Sequence, residues 1–311
     1  MIIDIVWPVM RRWPFVVLTV VAGAAIAVAL AQPGRRSATD GKLRVVAAEN
    51  FWGSIAAQLG GSKISVQSII VNPATDPHSY EPTASDARTM AAATVAIVNG
   101  IGYDTWASRL IAANASGQTV LDVGNLLHLK AGDNPHQWYS PSSVQSVIHA
   151  ITAAYERLEP SNRTYFAAQE RHFETVSLAP YNRLRAEIRR RFAGVPVGYS
   201  ESIFQPLGES LGLTLLTPYS FTKAIAEGTE ISAHDKQTVD AQASKRLIKV
   251  WIYNSQNATP DIQRLNAIAR SRHIPIATVT ETLDPAGASF EQWQVAELRG
   301  LIRALHQATG R

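Results

Sequence analysis

No cysteine occurs anywhere in the 311 residues. Disulfides, thiolate metal sites, cysteine nucleophiles and a lipid-modified N-terminal cysteine are therefore excluded, and an exported form of this chain would depend on its hydrophobic core. Charge is sparse as well: 17% of residues are charged against 46% hydrophobic, a balance that suits an ordinary globular protein rather than a disordered one. The formal net charge is +4, and removing residues 1–31 lowers it to +3. Arg189–Arg191 end a helical pattern, where cations suit the helix dipole, and no basic run is interleaved with aromatics. Nucleic acid is not an expected partner.

One long apolar run is present. Arg11 and Arg12 precede Pro14–Ala31, 18 uncharged residues ending in Ala29-Leu30-Ala31. This pattern predicts a secretory signal over 1–31 with cleavage before Gln32; its length also allows an uncleaved anchor, and Trp13-Pro14-Phe15 is a loose match to a twin-arginine signal. Without a lipid-bearing cysteine, the expected location is a soluble periplasmic form or one tethered by that helix at the outer face of the cytoplasmic membrane. A polar linker, 32–41, follows.

From residue 42 the chain reads as an α/β protein. LRVVAAE, ISVQSIIV and ATVAIVNG read as strands, alternating with helices in NFWGSIAAQLG, Pro82–Ala92 and TWASRLIAAN. A long helical stretch follows, in which Pro180 predicts a kink, with Tyr165, Phe166, Phe173, Val176 and Leu178 as its apolar face. The alternation then restarts with VPVGY, LTLLTPY, LIKVWIYN and IPIATVT as strands, and the chain closes on an amphipathic helix after Phe290. Strands alternating with helices imply parallel sheets. The expected organisation is an N-terminal lobe over 42–155, a linking helix over 156–193 and a C-terminal lobe over 194–311.

Parallel α/β sheets bind ligands beyond the carboxyl ends of their strands. Four metal-type side chains stand there: His78 in TDPHSYEPT, His136 in GDNPHQWYSP, Glu201 after VPVGY and Glu281 after IPIATVT. Each has an ordinary alternative. A loop histidine after proline is often a turn residue, Glu201 could cap a helix, and Glu281 could be a rim acid. Two imidazoles and two carboxylates suit borderline and hard dications and leave Zn2+ and Mn2+ both open. No G-x-S-x-G elbow, H-E-x-x-H helix or phosphate-cradling G-x-x-x-x-G-K-[ST] loop is present.

DPHSYEPT, NGIGYDTW, NPHQWY, GYSESIFQPLGESLGL and VTETLDP, in that order over roughly residues 43 to 308, resemble the zinc/manganese-type solute-binding proteins of bacterial ABC transporters. The resemblance implies two α/β lobes joined by one long rigid helix, with one divalent metal ion in the interlobe cleft, Zn2+ or Mn2+ with Fe2+ as a further possibility. It implies His78, His136, Glu201 and Glu281 as ligands, with Asp284 as the alternative fourth; the family's usual residue at that place is aspartate. Trp138 and Tyr139 are expected to wall the site, and Tyr80 with Glu81 to hold His78. The implied role is binding and delivery to a membrane permease by a monomer that performs no catalysis. A metallochaperone or adhesin of the same fold, or a metal-dependent hydrolase, are the alternatives.

Overall fold

Leu43–Glu49 is buried at every position but one and forms strand β1; a strand covered on both faces belongs inside a parallel sheet. It pairs in parallel with β2 (Ile64–Ile70) and β3 (Val95–Val98), and β4 (Thr119–Asp122) completes the order β2-β1-β3-β4. The helices of this half are α1 (Asn50–Gly60), α2 (Ala84–Ala91), α3 (Thr105–Ala113) and the single turn α4 (Val123–Leu126). Thr83 and Asp86 close a reciprocal capping box at the start of α2, which fixes the end of the loop carrying His78. The computed structural model describes residues 42–114 and 117–311; the expected signal and linker lie outside them. Among the described residues no helix is long and apolar enough to cross a membrane.

The helical link expected over 156–193 starts later. Glu156–Leu158 finish α5 (Pro141–Leu158), and a 3-10 turn at Pro160–Asn162 intervenes. From there α6 (Arg163–His172) passes through a π turn at Phe173–Ser177 into α7 (Ala179–Phe192), one continuous helical path. The Leu178 amide donates to the Phe173 carbonyl at 2.8 Å, a wider loop than the α-helical one. Pro180, lacking an amide proton and crowding the preceding turn, is the local cause. The extra residue turns the face: Phe173 and Leu178 stay buried, whereas Val176, expected on the apolar side, is 55% exposed.

The second half holds β5 (Pro196–Tyr199), α8 (Gln205–Ser210), β6 (Thr214–Leu215), α9 (Tyr219–Ala226), α10 (Ala233–Ser244), β7 (Val250–Asn254), α11 (Pro260–Ser271), β8 (Ile276–Val279) and α12 (Phe290–Thr309). Its sheet is parallel throughout, in the order β6-β5-β7-β8. The strand expected over LTLLTPY shrinks to two residues, because Pro218 denies a ladder donor and the chain turns into α9, a helix that is not among the expected elements. Buried residues of both sheets, of α1, α5, α7 and α12 belong to one hydrophobic cluster running from Leu43 to Leu305, so the two halves share a core.

Candidate metal centre

The four side chains expected at strand ends come from both sheets and converge. One ligand atom from each of His78, His136 and Glu281 lies within 4.8 Å of the others. Glu201 completes the group, its Oε1 4.0 Å from His136 Nε2, while Glu281 Oε1 is 3.5 Å from the same nitrogen. The site opens into a cleft of about 510 Å3 lined by His78, Glu201 and Glu281 together with Asp76, Glu227 and Gln256.

The backbone builds each position locally. Asp76 accepts from the His78 amide at 2.9 Å and from the Ser79 hydroxyl at 2.8 Å, closing a tight turn around Pro77. Asn99, just beyond β3, donates to the Pro135 carbonyl at 2.9 Å and accepts from the Trp52 indole at 3.0 Å, pinning the His136 loop to the first sheet. Trp138 stacks on Phe51 at 3.9 Å between ring centres and lies 5.2 Å from the His136 ring, so it walls the site as expected.

His136 is fully buried and its tautomer follows from its neighbour. Asn134 Nδ2 donates to the Ser202 carbonyl at 2.8 Å, and Asn134 Oδ1 accepts from the His136 amide at 3.1 Å, which fixes the orientation of that carboxamide. The same Oδ1 lies 2.8 Å from His136 Nδ1, so Nδ1 carries the proton and Nε2 presents a bare lone pair. Burial pushes the His136 pKa down to about 4, against the pull of Glu201, so the ring is neutral at physiological pH. Burial likewise lowers His78, with the Glu281 charge opposing it. Nε2 of each histidine is buried without a hydrogen-bond partner among the described residues.

Both carboxylates are buried. Glu201 Oε2 accepts from Asn254 Nδ2 at 3.0 Å and from Asn257 Nδ2 at 3.2 Å. Glu281 Oε2 accepts from the Tyr103 hydroxyl at 2.9 Å, and its Oε1 from Asn254 Nδ2 at 3.2 Å. Burial raises both acids above the usual carboxylate range. Glu201 directly precedes a 3-10 turn, yet its carboxylate makes no capping bond, so a helix-cap role does not account for it. The proton-free His136 Nε2 and the unpartnered His78 Nε2 beside two buried acids form an arrangement that a divalent cation would satisfy.

Asp284 is solvent-exposed and does not line the cleft, so the structure brings Glu281 and not Asp284 to the group. Tyr80 and Glu81 do not hold His78: the Tyr80 hydroxyl donates to Asp86 at 2.8 Å and Glu81 is exposed. The turn at Pro77 and the capping of α2 direct Tyr80 toward Trp106, with ring centres 4.9 Å apart. Tyr103, Asn254, Asn257 and Asn134 were missed as functional residues. NGIGYDTW and NPH mark the surroundings of Tyr103 and Asn134, whereas Asn254, the last residue of LIKVWIYN, and Asn257 just beyond it give no signal other than their place at a strand end.

Residues 45–304 match the family model of the zinc-uptake complex component A, periplasmic. The manganese-binding lipoprotein MntA of Halalkalibacterium halodurans is 26% identical over 209 residues, covering 64% of this chain and 67% of its own. The manganese ABC transporter substrate-binding lipoprotein scaA of Streptococcus gordonii is 26% identical over 204 residues, covering 60% of this chain and 63% of its own. The chain thus matches about two thirds of the length of these relatives. Among solved structures, the Mn-bound S38A mutant of a periplasmic metal binding protein from Candidatus Liberibacter asiaticus superposes with a TM-score of 0.72 at 18% identity, over 85% of this chain and 100% of that one. The periplasmic zinc binding protein TroA from Treponema pallidum superposes with a TM-score of 0.69 at 18% identity, over 86% and 99% respectively. At these identities the structures share the fold.

Proposed function

Because the chain belongs to the periplasmic component A family of zinc-uptake complexes, we propose that it is the exported solute-binding component of a metal-uptake ABC transporter. It captures one divalent transition-metal ion, Zn2+ or Mn2+, and delivers it to a membrane permease. His78 and His136 supply nitrogen and Glu201 and Glu281 supply oxygen; the ion is cargo, and no reaction is performed on it. The observation that carries this reading is the His136 ring, whose Nδ1 proton is committed to Asn134 while its bare Nε2 faces Glu281 Oε1 at 3.5 Å and Glu201 Oε1 at 4.0 Å. Two lone-pair-bearing groups at that separation repel unless a cation or a proton lies between them. The names of the two curated relatives call them lipoproteins, and these 311 residues hold no cysteine.

Metal content by mass spectrometry tests the reading. The full chain is equilibrated with Zn2+ and Mn2+, alongside a His78→Ala/Glu201→Ala double variant and an Asp284→Ala variant. The expected result is one metal per chain in the wild type and in Asp284→Ala, and none in the double variant. A metal-free wild type, or metal retained by the double variant, would overturn the proposal.

A further inference from the structure

Asn254 ends β7, the strand that lies between β5 and β8, so its side chain stands between Glu201 and Glu281, which follow those two neighbours. It is fully buried. Its Oδ1 accepts from the Gln256 amide at 3.0 Å, which fixes the carboxamide with Nδ2 toward the site. That nitrogen donates to Glu201 Oε2 at 3.0 Å and to Glu281 Oε1 at 3.2 Å. Asn257 adds a second donor to Glu201 Oε2 at 3.2 Å and is itself tied to the Ile225 carbonyl at 3.3 Å.

A carboxylate oxygen has two acceptor positions. Both positions of Glu201 Oε2 are filled by protein amides, whereas Oε1 points at His136 Nε2. Glu281 differs, with a single donor on each oxygen, Tyr103 on one and Asn254 on the other. We propose that Asn254 and Asn257 are specificity-determining residues: they restrict Glu201 to one ligating oxygen and so bias the site toward Zn2+ relative to Mn2+. With Glu201 so limited, the two histidines and two acids offer four donor atoms, or five if Glu281 chelates. Zn2+ is satisfied by four, whereas Mn2+ prefers more oxygen. Both asparagines are uncharged, so they set the oxygen count without altering the charge that attracts the ion. The inference rests on the function proposed above.

The test combines a crystal structure of the wild type loaded with Mn2+ and competition titrations of Zn2+ against Mn2+ on wild type and Asn257→Ala. Asn257 is only partly buried, so its truncation keeps Asn254 and the strand intact. The expected structure has Glu201 bound through Oε1 alone. In Asn257→Ala the Mn2+ to Zn2+ affinity ratio should rise roughly tenfold, the scale of one hydrogen bond to a charged group, with an added oxygen in the Mn2+ shell by X-ray absorption. Both Glu201 oxygens bound to Mn2+ in the wild type, or equal losses for both ions in the variant, would overturn this inference while leaving the proposed function standing. A wild type that binds neither ion would overturn both.

Discussion

Glu49 ends β1 fully buried, and neither of its carboxylate oxygens has a hydrogen-bond partner among the described residues. Burial, reinforced by the neighbouring Asp104, holds its pKa well above the usual carboxylate range, which favours its neutral form in the folded protein. A raised folded-state pKa means that its contribution to stability is full below the unfolded value. That contribution is lost as pH rises from the unfolded toward the folded value. Glu49→Gln keeps the neutral shape at every pH. We expect its melting temperature to fall less than that of the wild type between pH 5 and pH 8, by calorimetry on metal-free protein. Parallel curves would show that Glu49 is not the group responsible.

At this scale, His78, His136, Glu201 and Glu281 were legible because each stands inside a recognisable motif. The choice between Glu281 and Asp284 was not, since three residues of loop decide which side chain turns inward. Nor were Tyr103 and Asn254, whose bonds to the acids span 178, 53 and 27 residues of chain. Asparagine at a strand end reads equally well as a turn former, so no local pattern separates the two roles.

Among the elements, the end of β8 is the most heavily fixed. The Thr280 amide donates to Glu297 Oε1 of α12 at 2.9 Å, its carbonyl accepts from the Tyr139 hydroxyl at 2.9 Å, and its Oγ1 accepts from the Trp293 indole at 2.8 Å. Glu297 Oε2 lies 2.7 Å from the Tyr139 hydroxyl oxygen, and burial pushes Glu297 up to about 8 in spite of its hydrogen-bond partners. Glu281 is thus held by α12 and by the turn ahead of α5 at once. Removing the hydroxyl in Tyr139→Phe strands a buried carbonyl and carboxyl, a cost of about 1–3 kcal/mol. We expect a melting temperature lower by about 2–4 °C for each kcal/mol lost, read by circular dichroism. An unchanged melting temperature would mean that the hydroxyl contributes nothing to fixing this strand end.

Long elements with clear periodicity, such as α1 and α12, were readable from sequence. The departures have local causes. Pro218 truncates β6 and Pro180 imposes the π turn, and in each case a missing amide proton overrides a hydrophobic pattern that would otherwise continue. A period count cannot register an inserted residue, which is why Val176 was assigned to the wrong face.

Over the whole molecule, one core joins two parallel sheets, and the helical path Arg163–Phe192 leads from the first sheet to the second. The two-sheet design was visible in the alternation of strands and helices. The shared core was not, because sequence shows which faces are apolar without showing which faces meet. Its consequence is a site assembled from both halves but fixed by contacts that do not require an ion. The Tyr103 bond to Glu281 and the Asn134 bond to the Ser202 carbonyl already cross between them. Preorganisation of this kind favours small adjustments on loading over wide closure.

In the proposed function one divalent ion lies among His78, His136, Glu201 and Glu281. Anomalous diffraction from crystals loaded with Zn2+, recorded on both sides of the zinc edge, tests it most directly. A single strong peak is expected within bonding distance of His78 Nε2, His136 Nε2, Glu201 Oε1 and a Glu281 oxygen, about 2.0–2.2 Å from each. A peak elsewhere in the molecule, or none in the cleft at saturating metal, would contradict it.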